Sequence, residues 1–550
     1  MSRSDREYSE GRSSRSRSSK SRSGRSSSSR GYSDRDYDSD RSSSGKRRSS
    51  GKKSSGKSSK KKGRNNKISR NIGLVLVAIQ AVASVVFMGT LFMLNMLPGR
   101  YLAAIGAMLL LLCSAILVSQ YYSRKKGITG KVISVLISIC LIAGSYYITK
   151  GNSTLNNITG SEYKLDRVVV AVKSDDAAES INDAAGYNFG VQYAMNGDQI
   201  KDAVSQINSE LGSDIATVEY KSLAEQAKAL QDGKVGAIVY NEGYTSILNE
   251  AVDGYSDSVK IIYTYEIKTA VENTAEDVEV DKSFCVYISG IDVYGAIETN
   301  SRSDVNIIAE VNPETHQILL VTTPRDYYVE IPNISGGQKD KLTHAGIYGV
   351  DASMATLEQL YDTNIDFYAR VNFTSLVDIV NALGGVDVDS EIAFTTSEDS
   401  GLVMDVVQGI NHFNGQQALA FSRERYNLDG GDNQRGKNQQ AVIVAMIKKM
   451  VSPAILMGAN DILNSVSGNV DTNMSTEQIQ ELIKTQLDEA PKWSIKSMSA
   501  TGTGDEQVCY SYQGSALYVM QPDQSSVDAI KAAITSLKNG ETLDDVVVTE

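Results

Sequence analysis

The hydrophobic pattern divides the chain into a polar head, an apolar stretch and a long alternating remainder. Residues 1–66 are Ser, Arg, Lys and Gly with almost no apolar side chains. Such a segment cannot bury enough surface to offset its conformational entropy, so we expect residues 1–70 to be disordered. Three apolar segments follow, at Ile72–Leu97, Tyr101–Tyr122 and Lys131–Ile148. Each is close to the roughly 20 residues that cross a bilayer, which predicts three transmembrane helices within residues 71–149.

Basic residues predict the orientation of these helices. The loop Ser123–Lys131 holds four basic residues, whereas the loop Pro98–Arg100 holds one. The positive-inside rule therefore places the head and the second loop in the cytoplasm, and everything after about Lys150 outside. A long basic head before the first segment argues against a secretory signal peptide. A head that binds anionic lipid or sets the membrane topology is favoured over one that binds nucleic acid, because only three tyrosines interrupt its charges.

Residues 150–282 predict a small α/β accessory domain and a linker. Three β-rich runs alternate with two segments of helical spacing. The runs are Arg167–Val172, Ile215–Tyr220 and Val235–Tyr240, and the helical segments are 197–211 and 222–230. This alternation is typical of a parallel sheet. The segment loosely resembles one lobe of a solute-binding protein, but it lacks a ligand constellation, which favours a spacer or accessory role. Residues 272–282 are polar and acidic, as expected of a linker.

Residues 283–540 predict a larger α/β domain with a mixed sheet, followed by a frayed tail at 541–550. An apolar strand at Phe284–Ile291 precedes a hairpin formed by Asp304–Asn312 and Gln317–Thr323. Further predicted helices are 352–361, 375–383, 453–466, 475–487 and 525–537, and further β-rich runs are 494–499 and 516–520.

Charge is strongly partitioned along the chain. Residues 1–70 carry 23 basic against 7 acidic side chains, a net charge of +16, whereas residues 151–550 carry 26 against 59, a net charge of −33. The chain has only three histidines, and its four cysteines include no CxxC pair. This composition argues against a histidine-based zinc site. Within this acidic body, four basic residues fall within fifteen positions: Arg423, Arg425, Arg435 and Lys437.

The local pattern around these basic residues suits a phosphate. If Ala420–Tyr426 is extended, Arg423 and Arg425 point to one face. The LDGGDN turn follows, and a helical pattern begins at Gln434, with Arg435 and Gln439 one turn apart. Helix N-termini and arginine forks both bind phosphate oxygens. The alternative is a solvated basic loop.

Strand ends supply a second group of candidates, namely Asp292, Arg302, Asp304 and Arg325. Two carboxylates at adjacent strand ends suit Mg²⁺, and arginines beside them suit phosphate oxygens. Without a His or Cys nucleophile, the set indicates phosphoryl or pyrophosphate chemistry rather than acyl transfer. The alternatives are structural: Asp292 could cap a turn, Arg302 could pair with Asp304, and Arg325 could pair with Asp326.

Seven motifs in order resemble the external domain of the LytR–CpsA–Psr (LCP) family, most closely its capsule-type branch. They are SGIDVYG, SRSDVNII, TTPRDYYVEIP, KLTHAGIYG, LGGVDV, FSRERY and GDNQRGKNQQ. The resemblance is dense over 283–452, the core of the larger domain, and continues weakly to about Leu537. It implies an α/β domain that holds a polyprenyl pyrophosphate lipid and transfers its glycopolymer to peptidoglycan, with Mg²⁺ as cofactor.

The resemblance also assigns roles by position. Asp292 and Asp304 match the metal-site aspartates. The residues that match the pyrophosphate-binding set are Arg302, Arg325, Arg423, Arg425, Arg435 and Gln439, and Lys437 and Asp432 fill a basic and an acidic position of the same motif. The implied catalytic set is Asp292, Arg302, Arg325 and Asp432. The proton of the acceptor hydroxyl could pass to Asp292 or to Asp432. Tyr294 stands where many members have arginine.

The resulting hypothesis is a membrane-anchored phosphotransferase that moves a lipid-linked glycopolymer, of capsule or teichoic-acid type, onto peptidoglycan in the plasma membrane of a Gram-positive bacterium. Two alternatives are a non-catalytic membrane protein that binds lipid-linked wall precursors for regulation or scaffolding, and a polyprenyl pyrophosphate phosphatase. The expected partners are the lipid-linked glycan, peptidoglycan, the membrane, and capsule or wall assembly proteins. No nucleic acid is expected.

Overall fold

The computed structural model describes residues 57–122, 127–158, 163–270, 275, 277–291, 297, 300–452 and 470–542. Several sequence predictions lie outside these residues: the head up to residue 56, part of the linker, Asp292, Tyr294, the helix at 453–466 and the end of the C-terminal tail. Residues 57–70, which we expected to be disordered with the rest of the head, begin the first helix instead. The described residues from Asn65 onward group into one compact unit.

Three long apolar helices begin the described chain. They are α1 (Lys57–Leu94), α2 (Gly99–Tyr122) and α3 (Ile128–Ile158). Their segments Lys67–Leu94, Gly99–Tyr122 and Ile128–Lys150 are long and apolar enough to cross a membrane, which confirms the three predicted spans. Small and aliphatic side chains pack between the helices, whereas Val85, Phe92 and Leu110 face outward. An outward-facing apolar surface is typical of helices surrounded by lipid.

The accessory domain, residues 163–270, is a five-stranded sheet with short helices. Its elements are β1 (Tyr163–Lys173), β2 (Asn188–Val191), α4 (Gly197–Leu211), β3 (Ala216–Glu219), α5 (Leu223–Gln231), β4 (Ala237–Asn241), α6 (Thr245–Ala251), α7 (Tyr255–Ser258) and β5 (Val259–Ala270). The strand order is β3-β2-β4-β1-β5. The pairs β2–β3 and β2–β4 are parallel, whereas β1 runs antiparallel to both β4 and β5. The sheet is therefore mixed, and the prediction of a parallel sheet, made without β2 and β5, is wrong.

The large domain, residues 277–542, contains the remaining elements. They are β6 (Phe284–Ile291), β7 (Ser303–Asn312), β8 (Gln317–Thr322), β9 (Tyr328–Glu330), β10 (Lys339–Lys341), α8 (Leu342–Ala345), α9 (Val350–Tyr361), β11 (Phe367–Val371), α10 (Phe373–Ala382), β12 (Val386–Ser390), β13 (Phe394–Thr395), β14 (Asp405–Val406), β15 (Gly409–Phe413), α11 (Gly415–Arg423), α12 (Gly431–Met450), β16 (Val470–Thr472), α13 (Thr476–Glu489), β17 (Ser494–Ser499), β18 (Gly502–Cys509), β19 (Tyr512–Pro522) and α14 (Gln524–Lys538).

A six-stranded mixed sheet forms the centre of the large domain, in the order β16-β11-β6-β7-β8-β17. The predicted hairpin β7–β8 is antiparallel, and so is the edge pair β11–β16, whereas the pairs β6–β11 and β8–β17 are parallel, which confirms a mixed sheet. Strand side chains alternate between faces. Ile308 on β7 packs in the cluster that includes residues of α9 and α14, whereas its neighbour Ile307 packs against Ile443 and Ile447 of α12. Helices thus cover both faces of the sheet.

The accessory and large domains share a hydrophobic core. Tyr244 and Ile247, near and on α6, belong to one buried cluster with Ile347, Tyr512 and Val519 of the large domain. Because buried apolar area is the main source of stability, this shared core holds the two domains in a fixed arrangement.

The large domain also contacts the apolar helices. Arg100, at the start of α2, donates a hydrogen bond to the carbonyl of Leu487 at 3.1 Å, and its Nε lies 3.1 Å from the carboxylate of Asp488. Helix α3 contacts β16. One end of the large domain therefore lies against α2 and α3.

Candidate functional site

A cavity of about 670 Å³ lies between the central sheet and helices α10, α11 and α12. Most of its walls are aliphatic or aromatic. The apolar lining residues include Ile288, Ile291, Val305, Val371, Phe373, Leu376, Ile379, Leu419 and Val470. The polar lining residues include Asp304, Arg325, Asp399, Arg423, Arg425 and Arg435, and the charges of Arg325 and Arg435 act on Asp304. The cavity can therefore accept a long apolar chain whose anionic end meets the arginines.

Helix α12 carries this change from polar to apolar along a single stripe. Its lining residues are Arg435, Gln439, Val442, Ile443, Met446, Ile447 and Met450, at helical spacing. Arg435 and Gln439 share a face in the structure, as predicted. From Arg435 to Met450 the helix rises about 22 Å, at 1.5 Å per residue. Its apolar end lies near Val470 on β16, the strand that α3 contacts.

The extended conformation considered for Ala420–Tyr426 is not present in the structure. Helix α11 continues to Arg423, and its C-cap residue Glu424 has extended geometry, with φ −62° and ψ 134°. The helix is specified upstream, where Asn414 and Gln417 form a capping box. Arg423 and Arg425 still both line the cavity, but they reach it from a helix end and the residue beyond it rather than from alternate positions of a strand.

Buried Glu424 holds the turn between these two arginines. Its carboxylate accepts the backbone N–H groups of Arg425 at 2.9 Å and Asn427 at 3.0 Å, and also that of Ser397. Burial alone raises the pKa of Glu424, but these backbone hydrogen bonds lower it below its usual value. An ionised carboxylate therefore fixes the chain direction at FSRERY.

The guanidinium groups of Arg423 and Arg425 each lie against an aromatic ring. The guanidinium of Arg423 lies 4.4 Å from the centre of the Phe373 ring. Arg425 donates a hydrogen bond to the hydroxyl of Tyr426 at 2.9 Å. Neither arginine forms a salt bridge with any residue that the structure describes. Their charge is therefore available to an anionic ligand.

Asp304 and Arg325 form the centre of the polar end. Arg325 Nη1 lies 3.1 Å from one carboxylate oxygen of Asp304, and the Thr343 hydroxyl donates to the other at 3.0 Å. Burial raises the pKa of Asp304, but the charges of Arg325, Arg302 and Arg435 outweigh this and lower it. Burial opposes the charge of Arg325, but Asp304, Asp326 and Asp432 raise its pKa. Both groups are therefore ionised.

Arg435 and Asp432 pair in the first turn of α12, at 2.5 Å. Burial lowers the pKa of Arg435, and Asp432 opposes this shift. Both residues line a small polar chamber that adjoins the cavity. The chamber also includes Asp304, Asn306, Thr322, Thr323, Arg325, Asn433 and Gln439. The buried Thr322 hydroxyl has no hydrogen-bond partner among the described residues.

The chemistry of this chamber fits Mg²⁺. Carboxylate, hydroxyl and amide oxygens are the ligands that this ion prefers. The hydrogen bonds from Arg325 and Thr343 leave part of the Asp304 carboxylate available, and the Thr322 hydroxyl oxygen is unused among the described groups. Asp292, the other predicted metal ligand, lies outside the described residues.

Two predicted site residues point elsewhere. Arg302 forms a salt bridge with Glu250 of the accessory domain at 3.1 Å, not with Asp304. Lys437, whose side chain is 51% exposed, pairs with Glu391 at 3.1 Å and is not among the residues that line the cavity. The structural alternative of an Arg325–Asp326 contact is present, at 3.6 Å, in addition to the pairing with Asp304.

Sequence reasoning missed several residues that shape the site: Thr343, Phe373, Glu424 and Glu250. Thr343 lies within KLTHAGIYG, a motif that was noted without a role for its hydroxyl. The sequence does point to Glu424, since it is a single acidic residue between two arginines. Glu250 has none, because it is 52 residues from Arg302 and in another domain.

Comparison with known proteins places this geometry in context. The LytR_cpsA_psr family model matches residues 249–535, more than half of the 550 residues. The polyisoprenyl-teichoic acid–peptidoglycan teichoic acid transferase TagU of Bacillus cereus (strain AH820) is 34% identical over 245 residues, which cover 41% of this chain and 78% of that protein. The protein of the same name from Enterococcus faecalis is 32% identical over 293 residues, 51% of this chain and 91% of that protein.

Among solved structures, the crystal structure of B. subtilis TagV is 26% identical and aligns with a TM-score of 0.40. The alignment covers 48% of this chain and 99% of that chain.

Proposed function

Because this chain belongs to the LytR_cpsA_psr family, we propose that it is a membrane-anchored phosphotransferase that moves a polyprenyl-pyrophosphate-linked glycopolymer onto peptidoglycan. One observation carries the proposal: the apolar cavity of about 670 Å³ ends at four arginines, Arg325, Arg423, Arg425 and Arg435. The names of the TagU relatives support a lipid-linked teichoic acid as donor and peptidoglycan as acceptor. We propose a polymer of teichoic-acid or capsule type.

The cavity suits the lipid end of such a donor. Each buried methylene contributes about 0.8 kcal/mol, so an apolar tail along the α12 stripe supplies most of the binding free energy. The end of the cavity at Met450 and Val470 lies near β16, which α3 contacts. A donor that arrives from the membrane therefore meets the apolar end of the site first.

The arginines suit the pyrophosphate. Arginine forks bind phosphate oxygens through charge-assisted hydrogen bonds, which are worth about 1.5–3 kcal/mol each. Arg423 and Arg425 have no acidic partner among the described residues, whereas Arg325 and Arg435 are already paired with Asp304 and Asp432. We infer that Arg423 and Arg425 do not have to leave an acidic partner when they bind the ligand. Arg325 and Arg435, in contrast, are held in place by their partners before the ligand arrives.

The reaction is a phosphoryl transfer. The oxygen of a sugar hydroxyl on peptidoglycan forms a bond to the phosphorus that carries the glycopolymer. The bridging P–O bond breaks, and polyprenyl monophosphate leaves with the electron pair. The hydroxyl proton passes to a carboxylate, Asp292 or Asp432. The arginines stabilise the charge that develops on the phosphate oxygens, an effect worth several kcal/mol in comparable sites.

We propose Mg²⁺ as the cofactor, with Asp304 and Asp292 as its protein ligands. The ion would neutralise part of the pyrophosphate charge. The residues around Asp304 have two tasks of their own. Thr343 orients the carboxylate by donating to one oxygen, and Arg325 keeps it ionised through the contact at 3.1 Å.

The test uses the full-length protein in detergent with a polyprenyl pyrophosphate. Phosphate or monophosphate lipid should appear with Mg²⁺ and not with EDTA, and Arg325→Ala or Asp304→Ala should lower the rate at least about 100-fold. In cells, the same variants should stop attachment of the polymer to the wall. The protein must remain folded, which a thermal unfolding curve checks.

Three outcomes contradict the proposal. Wild-type levels of attached polymer in cells that carry Arg325→Ala, Arg423→Ala or Asp304→Ala exclude the transferase. Binding of the lipid without any Mg²⁺-dependent turnover favours the scaffolding alternative. Turnover with water that persists when peptidoglycan acceptor is supplied favours the phosphatase.

A further inference from the structure

We propose that the accessory domain completes the catalytic site, and that Glu250 on α6 is a positioning residue that keeps Arg302 away from the carboxylate of Asp304. The inference rests on the proposed function, in which Asp304 helps to hold Mg²⁺. It gives the accessory domain a chemical task, whereas its sequence predicts a spacer or accessory role.

The contact itself is an ion pair between domains. Arg302 Nη1 donates to Glu250 Oε1 at 3.1 Å, and both side chains are only 23% exposed. The other oxygen of Glu250 is buried and has no hydrogen-bond partner among the described residues. Burying a carboxylate is costly unless it is paired. Arg302 is therefore the main described group that compensates the charge of Glu250.

Asp304 could compete with Glu250 as the acidic partner of Arg302. Asp304 is two residues further along, and a local pairing of the two is the simplest expectation from the sequence. In the structure Asp304 instead contacts Arg325 and Thr343. A second guanidinium on Asp304 would occupy the oxygens that a hard cation needs, because arginine binds carboxylates through two parallel hydrogen bonds. Glu250 holds Arg302 in a different direction.

Glu250 is fixed by the packing of α6. Ile247 and Leu248 of this helix are fully buried in the core that the two domains share, together with Ile347. The ring of Tyr244 meets that of Tyr348 edge-on at 6.1 Å. The position of the Glu250 backbone is thus determined by apolar contacts that do not involve the ion pair.

The segment that carries Arg302 is also clamped. Asn300 donates to the carboxylate of Asp166 on β1 at 2.8 Å. A Cβ at Gly243 would lie 3.0 Å from the carbonyl oxygen of Asn300, and a Cβ at Gly346 would lie 2.6 Å from that of Ser301. The accessory domain and the α8 region therefore hold residues 300–303 from two sides. Side-chain pairing, rather than backbone movement, decides where the Arg302 guanidinium points.

The expected consequence of losing the Glu250 charge follows directly. Arg302 is released, pairs with Asp304, and competes with the cation for that carboxylate. The affinity for Mg²⁺ should fall, although Glu250 does not bind the ion. Substitutions of groups that orient metal ligands from outside typically cost 10–100-fold in metal affinity, and about tenfold is expected here.

The experiment measures Mg²⁺ binding alone, by calorimetric titration of the full-length protein in detergent without lipid. Glu250→Gln should weaken binding about tenfold, and the double variant Glu250→Gln/Arg302→Gln should return to within about twofold of wild type, because no arginine remains to compete. Glu266→Gln is the matched control. It removes an accessory-domain carboxylate that pairs with Arg167 at 3.3 Å, and it should not change Mg²⁺ affinity.

The outcomes separate this inference from the proposed function. Unchanged Mg²⁺ affinity in Glu250→Gln, or a loss that Arg302→Gln does not restore, overturns the inference even if wild type turns over the lipid. Absence of Mg²⁺ binding in wild type overturns it as well. If the affinities follow the expected pattern but wild type releases no phosphate from a polyprenyl pyrophosphate, the inference stands and the transferase proposal fails. A thermal unfolding curve for each variant shows whether the fold is intact.

Discussion

The arginines at the end of the cavity differ in their partners, and these partners decide what each can contribute. Arg325 and Arg435 are paired with Asp304 and Asp432, so removing either also leaves a buried carboxylate without its counter-charge. Arg423 packs on the ring of Phe373 and has no acidic partner among the described residues. Arg423 is therefore the position where a loss of ligand binding can be measured with least disturbance of the protein.

Arg423→Gln should lower kcat/KM for a polyprenyl pyrophosphate about 10–100-fold, because one charge-assisted contact to phosphate is lost. Lys437→Gln removes the same charge fourteen residues away. Its side chain is exposed and pairs with Glu391, so a change of less than about twofold is expected. Steady-state phosphate release with Mg²⁺ measures both. Equal losses would show that the whole basic stretch acts, and not the part that lines the cavity.

At the scale of single residues, the sequence indicated which residues line the cavity better than it indicated which partners they contact. Arg325, Arg423, Arg425, Arg435, Gln439 and Asp304 do line one cavity. Their motifs are local, and a motif reports on the identity of a residue at a position. It does not report on a partner in another domain, which is why the Arg302–Glu250 pair was not foreseen.

Among the elements, α12 links the part of the cavity lined by arginines to its apolar part. Its first turn carries Asp432 and Arg435, and its last turns carry Met446 and Met450. Its apolar periodicity was readable from the sequence. The preceding helix α11 was not recognised, because the alternation around Glu424 resembles a strand, although the Asn414–Gln417 capping box indicates a helix start.

Met446→Trp should shorten the usable cavity. Turnover of a long-chain polyprenyl pyrophosphate should fall at least about tenfold, whereas that of a short-chain one should stay within about twofold, because a short tail ends before the added ring. Met446→Leu conserves volume and serves as control. The ratio of kcat/KM for the two chain lengths is the measurement, and an unchanged ratio in Met446→Trp would place the tail elsewhere.

Helix α14 adds a pH-dependent contact to β7. Glu310 is fully buried, accepts from Ser283 at 2.8 Å and lies 3.7 Å from the ammonium of Lys538. Burial raises the pKa of Glu310 from 4.5 to about 7, although Lys538 and Ser283 act in the opposite direction. The folded protein thus holds this proton over a range in which the unfolded chain has released it.

The free energy of unfolding should therefore fall as pH rises from about 4.5 to about 7, by at most roughly 3 kcal/mol from this group. Glu310→Gln removes the contribution, so its unfolding temperature should decline less between pH 5 and pH 8 than that of wild type. Glu266→Gln, an exposed carboxylate, should follow wild type. The measurement is the unfolding temperature of each protein over this pH range. If it changes with pH in the same way in wild type and Glu310→Gln, Glu310 is not the source of the pH dependence.

On the scale of the whole molecule, the sequence indicated the order of its parts but not their coupling. Apolar length predicts the three membrane helices, and strand periodicity predicts two α/β segments, because both signals are local. The mixed accessory sheet could not be predicted, since strand direction depends on which distant strand pairs with β1 and β5. The contact of α3 with β16 likewise depends on tertiary packing and has no local signal.

The core shared by the two domains has a consequence for how this protein tolerates change. A polar linker separates the domains along the chain, yet Tyr244 and Tyr512 are buried in the same cluster. Deleting residues 163–270 would expose Ile347, Tyr512 and Val519 to water, so the accessory domain cannot be lost as a detachable module. Substitutions deep in that domain, more than a hundred residues before Arg423, can therefore impair the reaction simply by loosening the interior on which Arg302 depends. We therefore expect the accessory domain and the large domain to be retained together in evolution.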